Sequence, residues 1–210
     1  MNTEGIPGPA VRRLSLYLRQ LENIRRNNRR TISSRQLGES LGLTDAQVRK
    51  DLAYFGQFGH PGIGYRVDEL INQVRKILGT DKDWNVILVG AGNLGRALSA
   101  YRGFVKKGFR LVAIFDADAT KVGTVVSNIT VQSLDSLQQV VQVHQVRLGI
   151  ISVPAEAAQQ VAEQLAEAGI KGILNFAPIS LSLDDDVAIS AVDLAVHLEQ
   201  LSFQVSLADG

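Results

Sequence analysis

Gly90-Ala-Gly-Asn-Leu-Gly95, set directly behind Val86-Ile-Leu-Val89, constrains the fold of this 210-residue chain more than any other stretch. Four consecutive apolar residues read as a buried strand, and the glycines turn that strand into a helix. Gly90 permits the tight turn, Gly92 lets the backbone approach a pyrophosphate, and Gly95 lets helix and strand pack closely. A pyrophosphate there would meet unpaired N–H groups and the positive end of a helix dipole. The loop Gly90, Ala91, Gly92, Asn93, Leu94 and Gly95 is therefore a candidate dinucleotide cradle. A second strand, Leu111-Val-Ala-Ile-Phe115, ends on Asp116, 21 residues past Gly95. An acid in that place accepts the ribose hydroxyls of NAD, and the lack of a following arginine argues against the 2′-phosphate of NADP.

Beyond residue 80, strands alternate with helices. Strands are expected near 86–90, 109–115, 129–132, 146–152, 170–174 and 187–192, and helices near 93–105, 133–142, 154–168 and 193–207. Such alternation implies an α/β Rossmann domain, a parallel sheet with helices on its faces. Ligands of these sheets bind beyond the carboxyl ends of the strands. There the chain places Val153-Pro154 and Asn175-Phe176-Ala177-Pro178. An apolar slot holds an uncharged dihydronicotinamide more readily than the cationic oxidised ring, because burying an unpaired charge is costly. The site should then discriminate NADH from NAD+.

The net charge of +1 conceals an asymmetry. Residues 1–80 carry 13 Lys and Arg against 7 Asp and Glu, whereas residues 81–210 carry 9 against 14. A basic head on an acidic body suggests a polyanionic partner for the head. Within it, Val11, Leu14, Leu18 and Leu21 mark a first helix ended by the polar run Asn23 to Arg30. Ser33-Ser34 can cap a second helix with Leu37 and Leu41, Gly42 breaks it, and Thr44 can cap a third running to about Phe55. Helix, glycine turn, helix is the helix-turn-helix arrangement, whose second helix enters the major groove. With Val48 and Leu52 inward, Gln47, Arg49, Lys50 and Tyr54 face outward. Gln suits adenine, Arg and Lys suit guanine, and hydroxyls reach phosphate. Gly59 to Gly64 followed by Tyr65-Arg66 suits a wing lying along the DNA. An amphipathic connector carrying Leu70, Ile71, Val74, Ile77 and Leu78 leads to a boundary at Gly79-Thr80-Asp81.

The expected domains are a DNA-binding head (1–80), a dinucleotide-binding body (81–192) and a dimerisation helix (193–210). In that last helix Leu194, Leu198, Leu201 and Val205 form one apolar stripe, and Val196, Phe203 and Leu207 another. Two stripes suggest burial between two bodies, either inside one monomer or against a partner subunit. Groove-reading helices favour the partner, because two-fold dimers read palindromic operators.

Other function classes fit less well. The chain has no cysteine, and no His and carboxylate cluster has metal-ligand spacing, so no metal is expected. His60 lies in the wing, His144 precedes its strand and His197 is on the last helix, so none is placed as a catalytic proton donor, and no enzyme activity is expected. Met1 to Pro9 lacks the apolar core of a leader and no apolar run is of membrane-spanning length, so the expected location is cytoplasmic. Two rivals stay open on the residues alone. One is an NAD-dependent oxidoreductase with an added basic domain. The other is a DNA-binding protein whose body senses a different nucleotide or coenzyme A.

A wider set of motifs bears on that choice. Tyr17-Leu-Arg19, Ser34-Arg-Gln-Leu-Gly38, Gln47-Val-Arg-Lys-Asp-Leu52, Tyr54-Phe-Gly56 and Gly62-Ile-Gly-Tyr65 stand in the head. Val89-Gly-Ala-Gly-Asn-Leu-Gly95, Phe115-Asp116, Ser152-Val-Pro154, Gly172-Ile-Leu-Asn-Phe-Ala-Pro178, Val192-Asp-Leu194 and Leu201-Ser-Phe203 stand in the body. With these the chain resembles the Rex family of redox-sensing transcriptional repressors over nearly its whole length. The resemblance implies a winged-helix head, a Rossmann body and a homodimer with exchanged C-terminal helices. It implies a repressor that holds double-stranded operator DNA when NADH/NAD+ is low and releases it when NADH binds. It adds Ser34, Arg35, Gly62 and Tyr65 to the DNA-facing set. It also implies that Arg19, Tyr101 and Asp193 couple the cofactor to head geometry.

Overall fold

The computed structural model describes residues 7–59 and 62–208. The chain divides into two compact units, 1–82 and 83–210.

In the first unit α1 (Gly8–Arg26) buries Ala10, Leu14, Tyr17, Leu18, Leu21 and Ile24 along one stripe. It runs past the expected stop at Asn23 because Ile24 continues that stripe and is buried, while Asn23 faces solvent. A two-residue strand β1 (Thr31–Ile32), too short to show a periodicity, follows. α2 (Ser34–Glu39) starts with a capping box: Ser33 Oγ accepts from the Gln36 N–H, and Gln36 Oε1 accepts from the Ser33 N–H, both at 3.2 Å. The turn passes through Gly42 at φ +68° and leads into α3 (Asp45–Ala53), capped by Thr44. β2 (Tyr65–Arg66) pairs antiparallel with β1, Ile32 opposite Tyr65, and α4 (Val67–Ile77) closes the core. The β1–β2 pair ties down the base of the expected wing, whose His60 and Pro61 lie outside the described residues.

The second unit begins with β3 (Trp84–Val89), α5 (Asn93–Ser99), α6 (Arg102–Lys106), β4 (Phe109–Phe115), β5 (Val125–Val126) and β6 (Ile129–Gln132). A single 3-10 turn precedes α7 (Leu137–Val143); β7 (Leu148–Ile151), α8 (Ala155–Glu167), β8 (Gly172–Asn175), β9 (Ala188–Ala191) and α9 (Leu194–Ala208) follow. The sheet order is β5-β6-β4-β3-β7-β8-β9, parallel except for the β5–β6 pair. The chain winds outward from β3 to one edge and then from β7 to the other. The crevice between β3 and β7 is thus the topological switch point, where open α/β sheets bind ligands.

This unit departs from expectation at two further places. The helix expected over 93–105 is two helices, because Tyr101 leaves the helical region at ψ 102°. Its ring stacks edge-on against Phe104 and occupies the space a side chain at Gly103 would need. The strand β5 was not expected; it forms a hairpin with β6 through Ser127 and Asn128, both at positive φ, as a twist-matched two-residue turn requires.

α7 and α8 pack one sheet face, with Ile87, Val89, Phe115 and Ile151 against Leu137, Ala158 and Leu165. The other face is only partly covered, by Leu98 of α5 and Phe104 of α6. It leaves an apolar groove of about 350 Å³ that includes Leu88, Phe109, Leu148, Ile150, Leu174 and Ile189. On α9, Leu194, Leu198, Leu201, Phe203, Val205 and Leu207 are each more than half exposed.

Candidate functional site

The parallel ladder sets the candidate cofactor residues side by side. Gly90 N–H donates to Phe115 O at 2.8 Å, Ser152 N–H to Val89 O at 2.9 Å, and Phe176 N–H to Ile151 O at 2.9 Å. Asp116, Gly90, Ser152 and Phe176 therefore line one carboxyl edge across β4, β3, β7 and β8. A Cβ on Gly95 would stand 1.9 Å from Gly90 O, so this helix can start so close to its strand only with glycine there. Gly90, at φ +104°, is closed by Ser152 O, 2.5 Å from where a Cβ would sit. Gly92 differs: nothing lies within 4 Å of its added Cβ. Two glycines answer to the chain's own packing, and the third opens onto the space a pyrophosphate would use.

Asp116 is 8% exposed. Its Oδ2 accepts from the Ala91 N–H at 2.7 Å and from Lys121 Nζ at 3.2 Å, and its Oδ1 from the Asp118 N–H at 2.9 Å. Burial alone would raise the carboxyl. The two backbone hydrogen bonds and Lys121 outweigh it and hold Asp116 below the ordinary carboxylate range. Asp116 thus ties the glycine loop to the end of β4, with one outward-facing partner, Lys121, that a ribose hydroxyl could replace. Lys121 is a cation that motif reading missed, because only the folded turn after β4 returns it to the acid. Asp118 also pairs with it, at 3.5 Å. Ser152 and Arg96 were missed as well. Ser152 Oγ donates to Gly90 O at 3.0 Å, and Arg96 Nε to Ala91 O at 3.2 Å, so both brace the loop.

Of the slot residues, Val153 is half-buried and Pro154 and Pro178 are exposed. Asn175 is 1% exposed and its amide is fully engaged. Nδ2 donates to Ala177 O and Ile179 O, and Oδ1 accepts from the Ala177 N–H. Its part is to shape the turn that carries Phe176 and Ala177, not to present an amide to a ligand.

In the head, Ser34, Arg49, Gly62 and Tyr65 meet around a single cleft of about 650 Å³ between α3 and the wing segment. Arg49 Nη1 donates to Asp45 Oδ2 at 2.6 Å and to Ser34 Oγ at 3.2 Å, joining α3 to α2. Arg35 pairs with Glu39 and remains exposed; Lys50 and Tyr54 are exposed. Tyr65 is different. It is 8% exposed and packs in the head core, where burial pushes its phenol up, so its ring is a packing element beneath the wing. Of the three residues that the resemblance marks for coupling, Arg19 and Tyr101 are exposed, and Asp193 caps α9 by accepting the Ala195 and Val196 N–H groups on Oδ1.

A further cluster was missed entirely. Asp51, in the last turn of α3, is fully buried. It accepts from Arg13 Nε (2.5 Å) and Nη2 (2.7 Å), Tyr17 Oη (2.7 Å) and Gln47 Nε2 (2.8 Å). Its signal was present: position 51 falls with Val48 and Leu52 on the inward face, where an acid needs partners.

The comparisons with known proteins cover both units. The "Putative DNA-binding protein N-terminus" family matches residues 5–53, and the "CoA binding domain" family matches residues 81–179. The redox-sensing transcriptional repressor Rex of Carboxydothermus hydrogenoformans is 51% identical over 95% of this chain and 96% of its own. Rex 1 of Thermotoga maritima is 42% identical over 96% and 97%. The chain belongs to the Rex family. Among solved structures, RSP in complex with β-NAD+ and operator DNA has a TM-score of 0.92 at 40% identity, covering 97% of this chain and 94% of that one. RSP in complex with β-NADH has a TM-score of 0.88 at 38% identity, covering 99% and 97%.

Two expected outcomes follow for this Rex-family loop. Gly95→Ala should lower the stability of the body by about 1–3 kcal/mol, the usual range for overpacking, while Gly92→Ala leaves it unchanged; denaturant titration separates them. Because the Asp116 carboxyl is depressed in the folded chain, its contribution is complete above the ordinary carboxylate value of about 4 and is lost as pH falls through the folded value. The gap in melting temperature between the parent and Asp116→Asn should therefore be widest at neutral pH and close in acid.

Proposed function

We propose that this chain is an NADH-responsive repressor, a homodimer that holds a palindromic operator with its two α3 helices and releases it when NADH occupies the glycine loop. The observation that carries this is the loop itself, packed shut at Gly90 and Gly95 and open at Gly92, in one chain with a capped helix-turn-helix. RSP, crystallised with β-NAD+ plus operator DNA and with β-NADH, supports the pairing of these two functions.

The working segments are the head (1–80), the body (81–192) and the C-terminal helix (193–210). Gly90 to Gly95 would hold the pyrophosphate, and Asp116 would take the ribose diol in place of Lys121. Val153, Pro154, Phe176, Ala177 and Pro178 would border the ring, with Asn175 shaping their turn. The bound dinucleotide supplies one property, a ring whose charge depends on its redox state, and an apolar border favours the neutral form. Asp116 and Asp118 set two carboxylates against the single cation of Lys121, and the remaining negative charge disfavours the 3′-phosphate of coenzyme A despite the name of the matching domain family.

In the head, Gln47, Arg49 and Lys50 would meet base edges, and Ser34, Arg35, Tyr54 and Gly62 the backbone. α9 would lie on the partner subunit, whose partly covered sheet face offers an apolar groove of matching character. Arg19 and Tyr101, both exposed, and Asp193, which caps α9, would pass the cofactor state to the heads. The chain acts as a regulator and not as an enzyme: His144 precedes β7 at the amino edge of the sheet, and His197 rides on α9, the helix assigned to the partner subunit. No described helix is long and apolar enough to cross a membrane, and an operator places the protein in the cytoplasm with the chromosome.

A gel-shift titration tests this, using a duplex chosen by selection from a random library, at fixed salt because phosphate contacts are salt-dependent. NADH should release the parent protein at concentrations where NAD+ does not, and Gly92→Ala should bind the duplex but ignore NADH. Equal responses to the two nucleotides would overturn the sensing role. Replacing Leu198 and Leu201 together by Asp should yield monomers by sedimentation and abolish operator binding, with nucleotide binding retained.

A further inference from the structure

Asp51 is chemically out of place. Its neighbours on the inward face of α3 are Val48 and Leu52, and an aliphatic side chain would serve packing at least as well as a carboxylate. Buried ion pairs are weak contributors to stability, since desolvation offsets much of their attraction. What a carboxylate supplies and a leucine cannot is direction. Arg13 and Tyr17 approach from α1, one turn apart, so Asp51 fixes both the height and the rotation of α3 on α1. The fourth donor is Gln47, one turn earlier on α3 itself.

That last bond decides how Gln47 is presented. Burial works against the Asp51 charge, but the bonds from Arg13, Tyr17 and Gln47 outweigh it and hold the carboxyl below its ordinary range. An ionised carboxylate only accepts, so the amide end beside it must be the NH2 group. One amide proton is held by Asp51. The second amide proton and Oε1 remain, and these are the donor and acceptor that adenine N7 and its N6 amine require. Gln47 is half-exposed in the first turn of α3, the part of a recognition helix that reaches base edges.

We propose that Asp51 is a positioning residue for base reading, locking the Gln47 amide in one orientation and seating the recognition helix on α1 through Arg13 and Tyr17. This rests on the DNA-binding reading above. Without the carboxylate, the Gln47 amide can flip and α3 can rotate, so base preference weakens while phosphate contacts persist.

The test compares the full-length parent with Gln47→Ala, Asp51→Asn, Tyr17→Phe and the Gln47→Ala/Asp51→Asn double variant. Each is run through selection from a random duplex library, followed by affinity measurements on the selected and a scrambled duplex. The parent should enrich a two-fold site, and Gln47→Ala should lose preference at one base position in each half-site. Asp51→Asn should lose preference at that same position, with selected-duplex affinity down about tenfold and scrambled-duplex affinity unchanged. Tyr17→Phe should show a smaller loss there. At the base position that Gln47 reads, the double variant should be no worse than Gln47→Ala, because there both changes remove the same contact. Additive losses at that position, or an Asp51→Asn protein that keeps the preference Gln47→Ala loses, would overturn the proposal and leave DNA binding standing. Should Asp51→Asn fail to fold by circular dichroism, Tyr17→Phe decides alone, and an undiminished preference refutes the role. A parent that enriches no duplex removes the DNA-binding reading, and this proposal with it.

Discussion

The carboxyl edge of the body hangs on one close approach, that of Gly95 to the carbonyl of Gly90. Any Cβ at 95 would lie 1.9 Å from that oxygen. With hydrogen there instead, α5 starts almost on top of β3, and the turn between them is wedged against Ser152, just past β7. The loop is thereby immobilised from two sides before any ligand arrives. Its third glycine contributes nothing to that packing. The division matters physically: a substitution at 90 or 95 meets the chain's own backbone, and one at 92 meets open space. A pre-formed cradle also avoids an ordering cost at binding, which leaves more of the binding free energy for discrimination between ligand states.

Polar groups do comparable work where the interior needs an angle fixed. Asp51, Asp116 and Asn175 are the buried polar or charged residues among the described ones, and each joins elements that apolar contact alone would let slide. Asp116 ties the glycine loop to β4, Asn175 folds the turn after β8, and Asp51 joins α3 to α1. All three have several partners, which is the condition for burying such groups at tolerable cost. Two stand at the candidate cofactor edge and one under the helix proposed to read DNA, where small rotations would be most damaging.

Much of this was legible from spacing and punctuation. Alternation of strands and helices, the glycine turn, Asp116 and the caps at Ser33 and Thr44 are local signals, and the fold obeys them. The losses have local reasons too. β1 and β5 are two residues each, too short for any period, and pair only because a distant or hairpin partner exists. At Tyr101 the helix breaks where its ring lies over Gly103, an approach in space that periodicity does not show. Tyr65 follows a glycine-rich wing and so looked exposed, yet its β1 pairing turns it into the core. Asn175 stood at the ligand edge of the sheet, but its amide is consumed by its own turn. Lys121 and the Arg13–Tyr17–Asp51 cluster depend on approach in space, which periodicity does not encode.

The C-terminal helix carries the remaining constraint. A 15-residue helix is marginal by itself in water, and contiguous apolar exposure on the scale of α9 is unusual for a monomer. The same unit leaves a groove on the sheet face away from α7 and α8. One chain therefore has an apolar helix without cover and an apolar face that α5 and α6 cover only in part, and two chains can satisfy both. In the proposed dimer this joint does more than hold the subunits together. A ligand can shift a two-state equilibrium only by its difference in affinity for the two states, and moving a population from 1:99 to 99:1 takes about a 10⁴-fold difference. A loop already fixed by Gly90, Gly95 and Asp116 cannot supply that difference by reshaping itself. It must arise where the ligand meets residues that change place, and Asp193 puts a carboxylate at the root of α9. The rigidity of the cradle and the incompleteness of the monomer are thus two halves of one requirement.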